Sequence, residues 1–315
     1  MNCGKMEYPW GELMKALNIG LAIALLAIAS TNANALKMKK TDANCHFIPE
    51  NKLNIPVGAN LNGGIDEATF NRVIDNVSSF YEPIMKQLGG TLKVNRLWTD
   101  GTVNASAQRQ GKTWILNMYG GLARHQDINE DGFALVMCHE TGHHLGGYPL
   151  FSSGGSSQWA ANEGQADYFA TMKCFRRVFE NADNSAVVAN LNVPTIVKNQ
   201  CSDQHKSQKE IDLCERSSMA GMTLATLLWD LSNGNLTSNN KPAFNTPDSS
   251  QVSTTNDAHP AAQCRLDTYF SGSVCGVSFT ENFGTKDAIT GACAEEKGDK
   301  LGYRPECWYH PKNKN

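Results

Sequence analysis

The chain has 315 residues, 41% of them hydrophobic, which is enough for one sizeable core. Its formal net charge of −3, with acids and bases dispersed, excludes the basic footprint of a nucleic-acid partner. Ten cysteines point to disulfides, and so to an oxidising compartment.

Met14 to Ala35 reads as an export signal. Lys15 supplies the charge, Ala16 to Ala29 the apolar run, and Ala33-Asn34-Ala35 the small-x-small cleavage pattern. The expected organisation is a signal over 1–35, with Met14 as an alternative start, and one main folded domain over 36–265. A Cys-rich extension over 266–315 is expected to pack on that domain. With the signal removed, no stable membrane insertion is expected, and the chain should be periplasmic or extracellular.

Residues 36–62 are polar and lack a period, the mark of an irregular arm. From Asp66 to Leu88 the residues Phe70, Val73, Ile74, Val77, Phe80, Ile84 and Leu88 recur at helical spacing, with a kink expected at Pro83. Thr91–Trp98, Thr102–Arg109 and Lys112–Met118 read as short strands, joined by turns at Asp100-Gly101 and Gln110-Gly111. Asp127 to Gly132 copies the opening of an EF-hand loop, but its twelfth position is Cys138 where calcium needs a bidentate Glu, so a helix-capping turn is the better reading.

A helix of about four turns follows, started by Asn129 or Asp131 and stopped by Gly146-Gly147. It carries His139-Glu140-Thr141-Gly142-His143. At helical pitch the two imidazoles share a face and Glu140 is offset beside them, the arrangement that holds zinc for hydrolysis. Zinc in a hydrolase takes three protein ligands and a water. A metzincin spacing would put the third at Pro149, which cannot bind metal. A gluzincin spacing places a glutamate on a second helix, and Glu163 with Asp167 one turn on fits it, in a helix expected over Gln158–Phe179. Asp167 would accept the outer N–H of a metal-bound imidazole. Cys138 and His144 face away from the metal side.

Further on, Ile211–Leu231 is a helix with a buried Met/Leu stripe, residues 232–258 form a polar loop, and the remainder is Gly- and Cys-rich. Cys201–Cys214, Cys264–Cys275 and Cys293–Cys307 are local pairing candidates, and Cys138–Cys174 is a fourth. Spacing does not determine the connectivity, and the nine cysteines after residue 35 imply at least one that is free or paired between molecules.

The chain resembles the gluzincin metallopeptidases of family M forty-eight, the group of the HtpX-type heat-shock protease and the CAAX prenyl protease. Three blocks between Asp66 and Arg265 carry the likeness. The first is Val103-Asn104-Ala105-Ser106-Ala107 with Trp114–Met118 and Gly120-Gly121-Leu122. The second is His139-Glu140-x-x-His143 with Glu163-x-x-Ala166-Asp167, and the third is His259-Pro260 followed by Arg265. Only the N-terminal segment is apolar enough to cross a bilayer, so the likeness is to a soluble, exported branch and implies no prenylated substrate.

The resemblance implies an α+β zincin-like fold with a small mixed sheet and one catalytic Zn2+ on His139, His143 and Glu163. Glu140 would be the general base and acid. His259 and Arg265 lie at the active site in the family. His259 is then the candidate oxyanion donor, with Arg265 assisting or holding the loop and Tyr148 and Tyr168 as alternatives. Asn104, Ala105, Ser106 and Ala107 would form a free edge strand to which a protein or peptide substrate adds. The expected function is a zinc-dependent endopeptidase; the alternative is a zincin-shaped binding or chaperone-like protein with little turnover.

Overall fold

Asp66 accepts a hydrogen bond from the Thr69 amide and thereby starts helix α1, which follows the two-residue strand β1 (Cys45–His46) and spans Glu67–Gln87. The computed structural model describes residues 45–59, 63–152, 159–232 and 241–311; the signal over 1–35 lies outside these. α1 buries Phe70, Val73, Ile74, Val77, Tyr81 and Met85 and contains Pro83. The buried stripe keeps a regular helical spacing that differs from the expected set at its C-terminal end. Phe80 and Leu88 are 39% and 60% exposed, and Tyr81 and Met85 take their places in the core.

Three strands follow: β2 (Thr91–Leu97), β3 (Ala105–Gln110) and β4 (Thr113–Tyr119). β3 and β4 form a tight hairpin at Gly111, whose φ of 59° requires the left-handed region. β2 lies parallel to β4, and β1 lies antiparallel to β3, giving the order β1-β3-β4-β2. This is the small mixed sheet expected. The edge expected to be free along Asn104–Ala107 is covered, because β1 pairs Cys45 with Ala107 and His46 with Ser106.

Beyond β4 come the short α2 (Gly120–Ala123) and then α3 (Glu130–Leu145), capped by Asn129, whose Oδ1 accepts from the Gly132 amide. Asp131 instead pairs with Arg216, so the EF-hand-like stretch is spent on capping and an ion pair. α3 is buried from Gly132 to His144, consistent with its contacts to α1 and β3. It ends at Gly146 and at Gly147, whose φ is 66°.

The second helix begins at Glu163 and not at Gln158, because Asn162 caps it by accepting from the Gln165 amide. It runs as α4 (Glu163–Phe169), a π-helical stretch Ala170–Phe175, and α5 (Arg176–Phe179). α6 (Asn184–Val188), α7 (Thr195–Gln204) and α8 (Gln208–Leu231) follow, α8 opening with a reciprocal Ser207/Glu210 capping box. In α8 the buried stripe is Leu224, Leu227 and Leu228, while Met219, Met222 and Leu231 are only partly covered.

The last α-helix among the described residues, α9 (Ala262–Val274), carries Arg265 and packs on α8 and α4, so residue 265, where the expected domain ends, falls inside it. Disulfides join Cys138–Cys174, Cys201–Cys214, Cys264–Cys307 and Cys275–Cys293. The first two match the expected pairs. The local pairs Cys264–Cys275 and Cys293–Cys307 do not form: α9 separates Cys264 from Cys275, and the tail folds back to bring Cys307 to the start of that helix. Among the described residues no cysteine is free, contrary to the odd count, and Cys45 too is disulfide-bonded. No described helix is long and apolar enough to cross a membrane.

Candidate metal centre

His139 and His143 stand one turn apart on α3, with ring centroids 4.8 Å from each other. Glu163 opens α4 opposite them, its Oε2 lying 3.3 Å from His139 Nε2 and 3.7 Å from His143 Nε2. One ligand atom from each of the three lies within 4.8 Å of the others, and all three side chains are buried. The close approach of α3 and α4 depends on Gly142, where a Cβ would meet the Ala166 backbone at about 3 Å.

The outer nitrogens of both rings are engaged. His143 Nδ1 is 2.8 Å from the Ala161 carbonyl, which only accepts, so Nδ1 carries the proton and Nε2 offers its lone pair to the centre. His139 Nδ1 is 2.7 Å from Asp167 Oδ1, so it too carries a proton, and Nε2 is the ring atom turned toward the centre. Asp167 is itself clamped by Arg265, whose Nε and Nη2 donate to its two oxygens at 2.7 Å each, and by the Tyr269 hydroxyl at 2.6 Å.

The electrostatics follow from burial opposed by neighbours. Burial works against ionised Glu163, but His259, His143 and His139 together bring its carboxyl down to about 2. Burial pushes His143 down to about 4. It acts on His139 too, yet Asp167 and Glu163 overcome it and raise that imidazole to about 9. Arg265 holds Asp167 well below the usual carboxylate range despite its burial. Glu140, buried with no such cation against its oxygens, is driven well above the ordinary value.

Several polar atoms here lack a hydrogen-bonding partner: Nε2 of His139 and of His143, and both carboxylate oxygens of Glu163 and of Glu140. Orphaned buried polar groups are uncommon and costly, and two imidazole nitrogens facing a carboxylate suit a divalent cation of the zinc type. The residues fit the implied metal. Among the described residues, Asp248 with Cys264 and Cys307 is the other grouping of ligand-type side chains, and its two sulfurs are already joined as a disulfide.

Other expected residues are distributed differently. His259 reaches the centre: its Nε2 lies 3.3 Å from Glu163 Oε2 and 2.6 Å from the His46 carbonyl. Arg265 donates to none of the three ligand-type side chains' inward atoms. It sits behind Asp167, gives Nη1 to the Phe47 carbonyl at 2.8 Å, and so positions a ligand's partner. The Tyr168 hydroxyl is spent on the Gly302 carbonyl. His144 turns away as expected, stacked between Trp114 and Trp159 and accepting from Arg109. Tyr269 and Phe47 escaped the sequence reading. Tyr269 follows Arg265 by one helical turn, a usable signal, whereas Phe47 lies in an arm with no periodicity.

No protein-family model, curated protein or solved structure matches this chain.

Proposed function

We propose that the chain is a zinc-dependent endopeptidase of the exported compartment, acting on protein or peptide substrates. The observation that carries this reading is the buried convergence of His139, His143 and Glu163, with unpartnered donor atoms turned inward and Glu140 beside them. Two imidazoles and a carboxylate on separate helices make a three-ligand site, whereas purely structural zinc is usually enclosed by four Cys or His ligands.

His139, His143 and Glu163 hold the ion, and Asp167 keeps His139 in the tautomer that ligates. When bound, zinc supplies a Lewis acid that acidifies water and polarises a carbonyl. Glu140, kept basic by burial, takes the proton of the attacking water and passes it to the leaving amine. His259 turns an N–H toward the oxygen that becomes negative as the carbonyl carbon turns tetrahedral. Arg265 and Tyr269 act through Asp167 and touch no reacting atom.

The test is metal analysis of the purified chain together with casein hydrolysis. About one zinc per chain is expected, with activity lost to chelator. Glu140→Gln should lower turnover by about 10²–10⁴-fold while metal content stays unchanged. A chain that binds zinc and leaves casein intact would favour the binding-protein alternative, which the complete burial of the centre also supports.

A further inference from the structure

A strand of this chain already lies along the sheet edge on which an extended peptide would add. Residues 45–55 run antiparallel to 101–107. Cys45 and His46 pair with Ala107 and Ser106, and the Phe47 amide donates to the Ala105 carbonyl at 3.0 Å. Asn104 imitates a backbone unit, accepting from the Ile48 amide at 3.2 Å and donating to its carbonyl at 3.1 Å. The Ile55 amide closes the run on the Gly101 carbonyl at 2.7 Å. These are the bonds by which an added strand gains affinity without regard to its sequence.

The same segment engages the groups assigned to substrate. The His46 carbonyl takes the His259 Nε2 proton at 2.6 Å, using the donor that the oxyanion would need. The Phe47 carbonyl is held by Arg265, and the fully buried Phe47 ring stands edge-on to His139 at 5.3 Å between centroids. His139, Glu140 and Glu163 are 0% exposed and His143 is 1% exposed, so no polypeptide reaches them in this arrangement. Immediately after Cys45, Phe47 and Ile48, which are buried, and His46, which is half-buried, residues 49–54 are exposed and give access to the arm from outside.

We propose that Cys45–Ile48 is a resident substitute for substrate, which keeps the centre latent until it is displaced. Polypeptides that replace it bind antiparallel to β3 and carry a bulky apolar side chain at the place of Phe47. The proposal rests on the peptidase reading, and the experiment below separates the two. Apparent affinity is lowered by the fraction of molecules whose edge is free, so loosening the arm must raise it.

The experiment uses the full exported chain, metal-loaded, in a Glu140→Gln background that binds without cutting. The probe is a fluorescein-labelled extended peptide bearing one Phe, compared with the same peptide bearing Gly there. Phe47→Ala should tighten binding of the Phe probe at least about tenfold over the intact arm, and the Gly probe should gain less. Should Phe47→Ala not fold by circular dichroism, a site-specific protease sequence placed at the exposed residues 50–53 and cut after folding reads the same quantity. Equal or weaker binding after loosening, or no binding in any form, overturns the proposal. If the loosened chain binds the probe, but its counterpart with Glu140 intact does not cleave it, the peptidase reading fails and the arm assignment stands.

Discussion

Asp167 joins the candidate metal centre to the rest of the protein. Its carboxylate receives the His139 ring, both nitrogens of the Arg265 fork and the Tyr269 hydroxyl, all without exposure to solvent. A buried arginine is tolerable only with such a partner. Asp167→Asn leaves Arg265 short of its counter-charge and should destabilise the fold by about 3–5 kcal/mol, read by chemical denaturation. The same change loosens the His139 tautomer and, on the proposed zinc reading, should weaken metal binding about 10–100-fold, read by competition with a chromogenic chelator. Because the Asp167 pKa is depressed in the folded state, its stabilisation is present above the unfolded carboxylate range, about 3.9, and is lost as pH falls toward the lower folded value.

At the scale of elements, the helix bearing Glu163 changes pitch after Phe169, within one turn of Asp167, passing into the π-helical stretch Ala170–Phe175. That stretch holds Cys174 against Cys138 of α3 and carries Lys173, whose Nζ donates to the Ser278 carbonyl at 2.7 Å. Burial pushes the Lys173 ammonium down to about 7, Arg176 adding to the effect and Glu281 opposing it. Below pH 7 both folded and unfolded chains carry this charge, and the cost of burying it is complete. Between pH 7 and about 10.4 the folded chain has shed the proton and the unfolded chain keeps it, so this contribution to stability rises with pH. Lys173→Met should therefore raise the melting temperature at pH 6, by about 2 °C for a gain of roughly 1 kcal/mol, with the difference shrinking by pH 9.

For the whole molecule, the C-terminal region is tied back onto the centre. The Cys264–Cys307 disulfide spans 43 residues and brings Trp308 against Gly164, beside the ligand Glu163, where a Cβ would run into the indole. Trp308 Nε1 also donates to Thr268 on α9 at 2.9 Å. Replacing both cysteines by serine should cost about 4 kcal/mol by loop-closure entropy, seen as a lower denaturant midpoint. Arg265 follows Cys264 on α9, so zinc affinity should fall as well. Four disulfides of this kind fit an oxidising compartment.

The amino-acid sequence by itself determined what local spacing controls. Histidines four apart on one helix, Glu163 and Asp167 four apart on another, a helix cap at Asn129 or Asp131, and the strands around Gly111 all follow from helical pitch or turn stereochemistry within a few residues. Only the tertiary structure decided which distant segments meet. Arg265 went to Asp167, Cys264 went to Cys307, and the aperiodic arm at Cys45–Ile48 took the edge of β3. A sheet edge accepts any backbone and a sulfur any sulfur in reach, so partner choice depends on the path of the chain and on what else is buried with it.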